Sequence, residues 1–194
     1  MGMEIEDIYS DLPTLETERL ILRKMTLDDV EDIFAYGSNP EVSRYVTWDT
    51  HETISDTQIF VGYALSRYEM KKIAPWAIEH KEDGKCIGTI DFVAWQPAQQ
   101  TAEIGYVIAQ DYWGRGITAE ASKELIRFGF ERMELVRIQA RCFVENSASA
   151  RVMEKVGMTF EGIMRKGMYV KGRHHDLKLY AITDDDYVAL QKKS

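Results

Sequence analysis

Residues 112–121 read YWGRGITAEA: an arginine held between two glycines, immediately ahead of a strong helix-forming run. Glycine adopts positive φ at little cost and lets a ligand approach the main chain, so Gly114 and Gly116 leave backbone N–H groups bare at a helix start. Such a start attracts anions, and Arg115 adds a fixed positive charge. Residues 114–119 also match G-x-G-x-x-A, the dinucleotide-binding fingerprint. That fingerprint requires an early βαβ unit and an acidic residue ending the following strand, roughly 20 residues on. Here the residue at that distance is Glu134, which precedes the next strand. No G-x-x-x-x-G-K-[ST] loop occurs. A glycine-rich turn that binds nothing is the third reading, and it leaves Arg115 unexplained.

Other residues with chemical potential are scattered. Asn146 is a good helix N-cap, with Ser149 three residues on. Lys123, Arg151 and Lys155 could reach phosphate oxygens, although each also suits a solvated helix face. His174, His175 and Asp176 suggest a His/Asp pair or metal ligands, but no third ligand is nearby in sequence, so no metal is expected. Cys86 and Cys142 lie in apolar runs without a C-x-x-C partner, which favours reduced core packing over zinc or a disulfide. Neither has a neighbouring base in sequence, making both poor nucleophile candidates.

The elements that must position these residues follow from periodicity. Residues 19–24 (RLILRK) alternate like a strand; 27–36 show helical spacing behind Thr26 as N-cap, and Asn39-Pro40 stops that helix. A second helix spans about 54–70. The period then becomes two, giving strands at 74–79, 86–94 and 102–108, the first pair joined by a Glu82-Asp83-Gly84 turn. An amphipathic helix over 118–132 leads to a strand at 136–144, then a helix at 146–156 ended by Gly157. Two last strands, about 163–170 and 175–182, flank Lys171-Gly172. This order predicts one α/β (α+β) domain: a mixed, mostly antiparallel sheet of about seven strands flanked by about four helices. Residues 1–14 form an N-terminal extension and 15–194 the domain.

Composition excludes several classes. The chain has 194 residues, 45% hydrophobic, with a net charge of −8. That balance argues against a nucleic-acid surface and tilts towards cationic partners. No apolar stretch approaches the roughly 18 residues needed to span a bilayer, and the N-terminus is acidic where a signal peptide would be basic. A cytoplasmic protein without membrane partners is expected. Gly2 invites lipidation, but Glu6 stands where that pattern needs Ser or Thr.

Trp113-Gly114-Arg115-Gly116-Ile117-Thr118 resembles the acyl-CoA pyrophosphate loop of the GNAT superfamily, Q/R-x-x-G-x-G/A, with Trp113 in the Gln/Arg position and Thr118 in the last small one. The segments TERLILRKM, AEIGYVI, NSASARVMEKVGM and GRHHDLKLY are similar to the RimJ/RimL-type branch, the ribosomal-protein Nα-acetyltransferases and their relatives, and cover nearly the whole chain in order. The resemblance implies acetyl-CoA as cosubstrate, no metal, and transfer of acetyl to a primary amine by direct attack in a ternary complex. It implies that Val107, Ile108, Trp113, Gly114, Arg115, Gly116, Ile117, Thr118, Asn146 and Ser149 bind the cofactor. Glu103 inherits the general-base role, Ser149 protonates the departing thiolate, and Val107, within one residue, offers a backbone N–H to the thioester oxygen where the family's strands splay. Gly105 fits such an irregularity. Met168 replaces a glutamate some branch members carry, which shifts weight to Glu103. His175 and Asp176 take a structural or substrate-shaping role, and Tyr45, Trp48 and Trp95 are candidates to line the acceptor pocket, with core packing the plainer alternative. The acceptor is a protein N-terminus, ribosomal proteins included, or a small cationic amine; dimers are common in the branch. Two rival functions stand beside this one: a non-catalytic acyl-CoA-binding regulator, and an NAD(P)-dependent oxidoreductase using GRGITA.

Overall fold

The computed structural model describes residues 3–192, so Gly2 lies outside the described residues. A single eight-stranded sheet runs through it in the order β1-β2-β3-β4-β5-β6-β8-β7. The strands are β1 (Leu15–Glu16), β2 (Leu20–Arg23), β3 (Trp76–His80), β4 (Lys85–Gln96), β5 (Thr101–Ile108), β6 (Arg137–Phe143), β7 (Thr159–Val170) and β8 (Arg173–Thr183). Every pairing is antiparallel except β5 with β6. The α-helices are α1 (Ile5–Tyr9), α2 (Val30–Gly37), α3 (Pro40–Ser43), α4 (Ile54–Glu69), α5 (Ile117–Arg132), α6 (Ser147–Lys155) and α7 (Asp184–Gln191).

Alternation along the strands sends side chains to two faces. Trp76, Ile90, Phe92, Ile104, Ile138 and Tyr180 pack with Ile117, Leu125 and Phe128 of α5 and Met153 of α6. Ala77 and Cys86 meet α2 and α4 on the other face, through Ile33, Tyr36, Val61 and Ala64. The sheet is thus covered on both sides, as the fold class requires.

Four elements exceed the sequence expectation. Segment 1–14 contributes α1 and sends Tyr9 and Leu12 into the core, and the Trp76 indole N–H donates to the Pro13 carbonyl at 2.8 Å. Asn39-Pro40 ends α2 but also starts α3: the Asn39 side chain accepts from the Glu41 amide, and Pro40 sits in the first turn, where a missing N–H costs nothing. The two-residue β1 is too short to show a period. Helix α7 carries a capping box, Thr183 with Asp186, a start signal that the sequence does display.

Candidate active site

Strands β5 and β6 are paired only over Thr101–Glu103 with Arg137–Gln139. Beyond that point they part, and Gly105, Tyr106 and Val107 become partly exposed along the gap. Glu103 sits at the apex. One of its oxygens accepts from Gln139 Nε2 at 2.9 Å and the other from Arg141 Nε at 2.8 Å, so a buried carboxylate on β5 ties two residues of β6 across the fork. Both oxygens of Glu103 are thus engaged by β6.

The free edge of β5 can be assigned from alternation. The Val107 carbonyl points to β4, only 2.2 Å from where a β-carbon on Gly88 would stand, and the Ala109 amide donates to the Ile87 carbonyl on β4 at 2.7 Å. Main-chain groups of alternate residues face opposite sides of a strand. Val107 is thus turned away from the fork, and the amides facing it belong to Tyr106 and Ile108. Tyr106 and Ile108 lie within the one-residue margin of the donor expected at Val107. The Ile108 carbonyl, on the fork side, accepts from Trp113 Nε1 at 2.8 Å, so the half-exposed Trp113 ring folds the loop back onto the end of β5.

That loop enters α5 with Gly114 at φ 71° and Gly116 at φ 77°. Gly116 is the N-cap and brings no side chain to the first-turn amides, which stay uncapped at Ile117 and Thr118. The Arg115 guanidinium rests over the Tyr112 ring, 5.0 Å from its centroid. Two cations converge on Gly116: Arg19 Nη2 and Lys155 Nζ each stand 3.6 Å from the position of its absent β-carbon. Arg19 also donates to the Arg115 carbonyl at 3.0 Å and pairs with Glu120 at 2.7 Å. Burial raises the Glu120 carboxyl, but the Thr17 hydroxyl and the Arg19 amide and guanidinium outweigh it and leave it below the ordinary range. Arg19 immediately precedes β2, far from the loop in sequence, and no spacing rule connects the two. Lys123 and Arg151 remain exposed helix charges.

At the mouth of the fork, the Asn146 side chain accepts from the Ser149 amide at 3.1 Å, capping α6. Ser149 Oγ lies 2.9 Å from Tyr106 Oη, a contact across the gap between α6 and β5. Tyr106 is the residue sequence reasoning missed; its signal is an aromatic side chain at the point where the strand loses its partner. Burial keeps its phenol well above the usual value, so it stays protonated.

The remaining candidates separate. His175 stacks on Phe143 at 4.4 Å, while the Asp176 carboxylate accepts from the Lys166 amide at 2.7 Å, so the two do not form a dyad. Tyr45 meets Phe143 edge-on, and Trp48 lies beside His51 and Val107 on the α2/α4 face. Trp95 is buried in the opposite core near Tyr9, which removes it from any acceptor pocket. Burial pushes the Cys86 thiol up to about 12 and raises Cys142 as well, which disfavours either thiolate as nucleophile. Among the described residues, no group of three or more His, Cys, Asp or Glu is placed to hold a metal ion.

With this geometry in place, the comparisons are consistent with one another. Residues 19–159 match the acetyltransferase (GNAT) domain model. The chain is 38% identical over 170 residues to the uncharacterized N-acetyltransferase YoaA of Bacillus subtilis, covering 88% of this chain and 96% of the relative. It is 35% identical over 101 residues to the ribosomal-protein-serine acetyltransferase of Escherichia coli, covering 52% and 56% of the two chains. The crystal structure of a GNAT-family acetyltransferase from Bacillus anthracis superposes with a TM-score of 0.79 at 31% identity, covering 89% of this chain and 99% of that one. The dinucleotide reading of GRGITA falls with these matches, since the loop belongs to a largely antiparallel sheet with one parallel pair. The chain is a member of the GNAT acetyltransferase family.

Proposed function

We propose that the chain moves an acetyl group from acetyl-CoA to a primary amine, by direct attack within a ternary complex. The observation that carries this reading is the parted β5–β6 fork ending in the Gly114/Gly116 loop. An extended pantetheine arm can pair with the free edge of β5 as a strand would. The pyrophosphate then meets the first-turn amides of α5, with Arg19 and Lys155 supplying charge. The thioester carbonyl, at the Tyr106 amide, gains a donor aimed at its developing negative charge. The Tyr106–Ser149 hydroxyl pair protonates the departing thiolate, in agreement with the role the resemblance gives Ser149. The acceptor is an N-terminal amine or a small cationic amine, the latter in keeping with a net charge of −8.

The test is release of free CoA thiol when the protein is incubated with acetyl-CoA and, separately, an N-terminal seryl peptide, spermidine, L-lysine or kanamycin, with the acetylated product identified by mass. Amine-dependent thiol release is the expected result. Tight acetyl-CoA binding without thiol release for any amine would instead identify a non-catalytic acyl-CoA-binding regulator.

A further inference from the structure

With Glu103 engaged by Gln139 and Arg141, the incoming amine needs another proton acceptor. Asp91 of β4 is cross-strand from Gly105 of β5, the residue before Tyr106. Its side chain belongs to the α2/α4 face, since Ile90 and Phe92 on either side of it are in the opposite core. Partly exposed, its carboxyl has no hydrogen bond or ion pair among the described residues. Gly105 carries no side chain beside it, and the exposed Val93 fills that space: a β-carbon on Gly105 would lie 3.8 Å from Asp91 Oδ1 and 2.7 Å from Val93 Cγ1. The titratable groups around it are the Tyr9 hydroxyl of α1 and the Tyr68 hydroxyl of α4, with Arg67 of α4 acting on Tyr9. On the β5 side stands the Glu103–Arg141 pair.

From this placement, and resting on the transferase reading above, we propose that Asp91 is the catalytic residue that takes the proton from the acceptor amine. The register sets acid and base on opposite faces of the sheet. Tyr106 packs towards the α5/α6 core and meets Ser149, while Asp91 lies one residue away in register on the α2/α4 side. An amine arriving beside Asp91 on the α2/α4 side approaches the thioester carbon from one face, and the thiolate departs on the other. The ammonium gives one proton to the Asp91 carboxylate and the nitrogen forms the C–N bond. Collapse of the adduct breaks the C–S bond and sends the second nitrogen proton to solvent. The hydroxyl pair gives a proton to sulfur and is refilled from solvent, and Asp91 returns its proton to solvent, so two protons leave, one is taken up and, net, one is released per turnover. Burial raises the Asp91 carboxyl to about 7, a value suited to general-base work near neutrality.

The test compares wild type with Asp91→Asn, using whichever of the seryl peptide, spermidine, L-lysine and kanamycin the wild type acetylates. The expected result is a kcat at least about 100-fold lower at pH 7.5, with the acetyl-CoA Kd within twofold of wild type. The limb of the kcat/KM profile that rises through about pH 7 in wild type is lost in the variant. An acceptor-free measurement accompanies it. A carboxyl whose pKa is raised on folding costs stability as pH climbs from about 3.8 to about 7, so the Tm that Asp91→Asn gains over wild type is larger at pH 8 than at pH 5. An Asp91→Asn enzyme within threefold of wild type that keeps the limb overturns the role of Asp91 and leaves the transferase reading standing. A wild type that binds acetyl-CoA but acetylates none of the four amines overturns both.

Discussion

Replacing Gly116 by Ala and, separately, Gly114 by Ala isolates what the loop does with its missing side chains. Both glycines sit in the left-handed region, at φ 77° and 71°, so each alanine carries a similar backbone penalty of about 1–2 kcal/mol. For a chain of this size that lowers Tm by roughly 2–8 °C in both variants. Their surroundings differ. A β-carbon on Gly114 meets nothing within 4 Å, whereas one on Gly116 stands 3.6 Å from both Arg19 Nη2 and Lys155 Nζ, in the space assigned to the pyrophosphate. Displacing the anion far enough to lose one charge-assisted hydrogen bond costs about 1.5–3 kcal/mol, which weakens binding about 10–150-fold. Calorimetric titration of acetyl-CoA reads this directly, with thermal unfolding measured on the same samples. Two variants equally destabilised, with only Gly116→Ala losing affinity, is the expected pattern. Equal affinities within threefold would refute the placement of the pyrophosphate at Gly116 and its two cations.

Glu120 supplies a pH signature. Its carboxyl is held below the ordinary range, so its stabilising contribution is complete above that range and is lost as pH falls towards the folded value; acid unfolding of Glu120→Gln should show a shallower loss of stability in that window. Tyr106→Phe and Ser149→Ala should each slow the chemical step in single-turnover kinetics. Because the two hydroxyls form one hydrogen-bonded pair, the double variant should lose less than the product of the single effects; strict multiplicativity would separate them. Gly88→Ala would drive a β-carbon to 2.2 Å from the Val107 carbonyl. Overpacking against backbone costs about 1–3 kcal/mol and shifts the end of β5, so both Tm and acetyl-CoA affinity should fall, and an unchanged affinity would show that the end of β5 does not touch the cofactor.

Much of the molecule is legible in the chain order. Periods of two and of 3.6 mark the seven longer strands and the helices α2, α4, α5 and α6, because each buries one face against the sheet. The loop at Gly114 and Gly116 is equally local: positive φ is a property of glycine, and both residues adopt it. Elements held by remote contacts are harder to read. Helix α1 has five residues and no period, and it is anchored by Tyr9 and by the Trp76–Pro13 bond to a strand over 60 residues away. The site divides the same way. Sequence singles out the glycines by their spacing and Ser149 by the family resemblance. Only tertiary structure decides that Glu103 is occupied by two residues of β6, that strand alternation gives the fork to Tyr106 and Ile108 over Val107, and that Arg19 reaches the loop. It alone also leaves Asp91 without a hydrogen bond or ion pair among the described residues. A carboxylate's availability depends on which groups surround it in space, and those groups come from strands that the sheet brings together from distant parts of the chain.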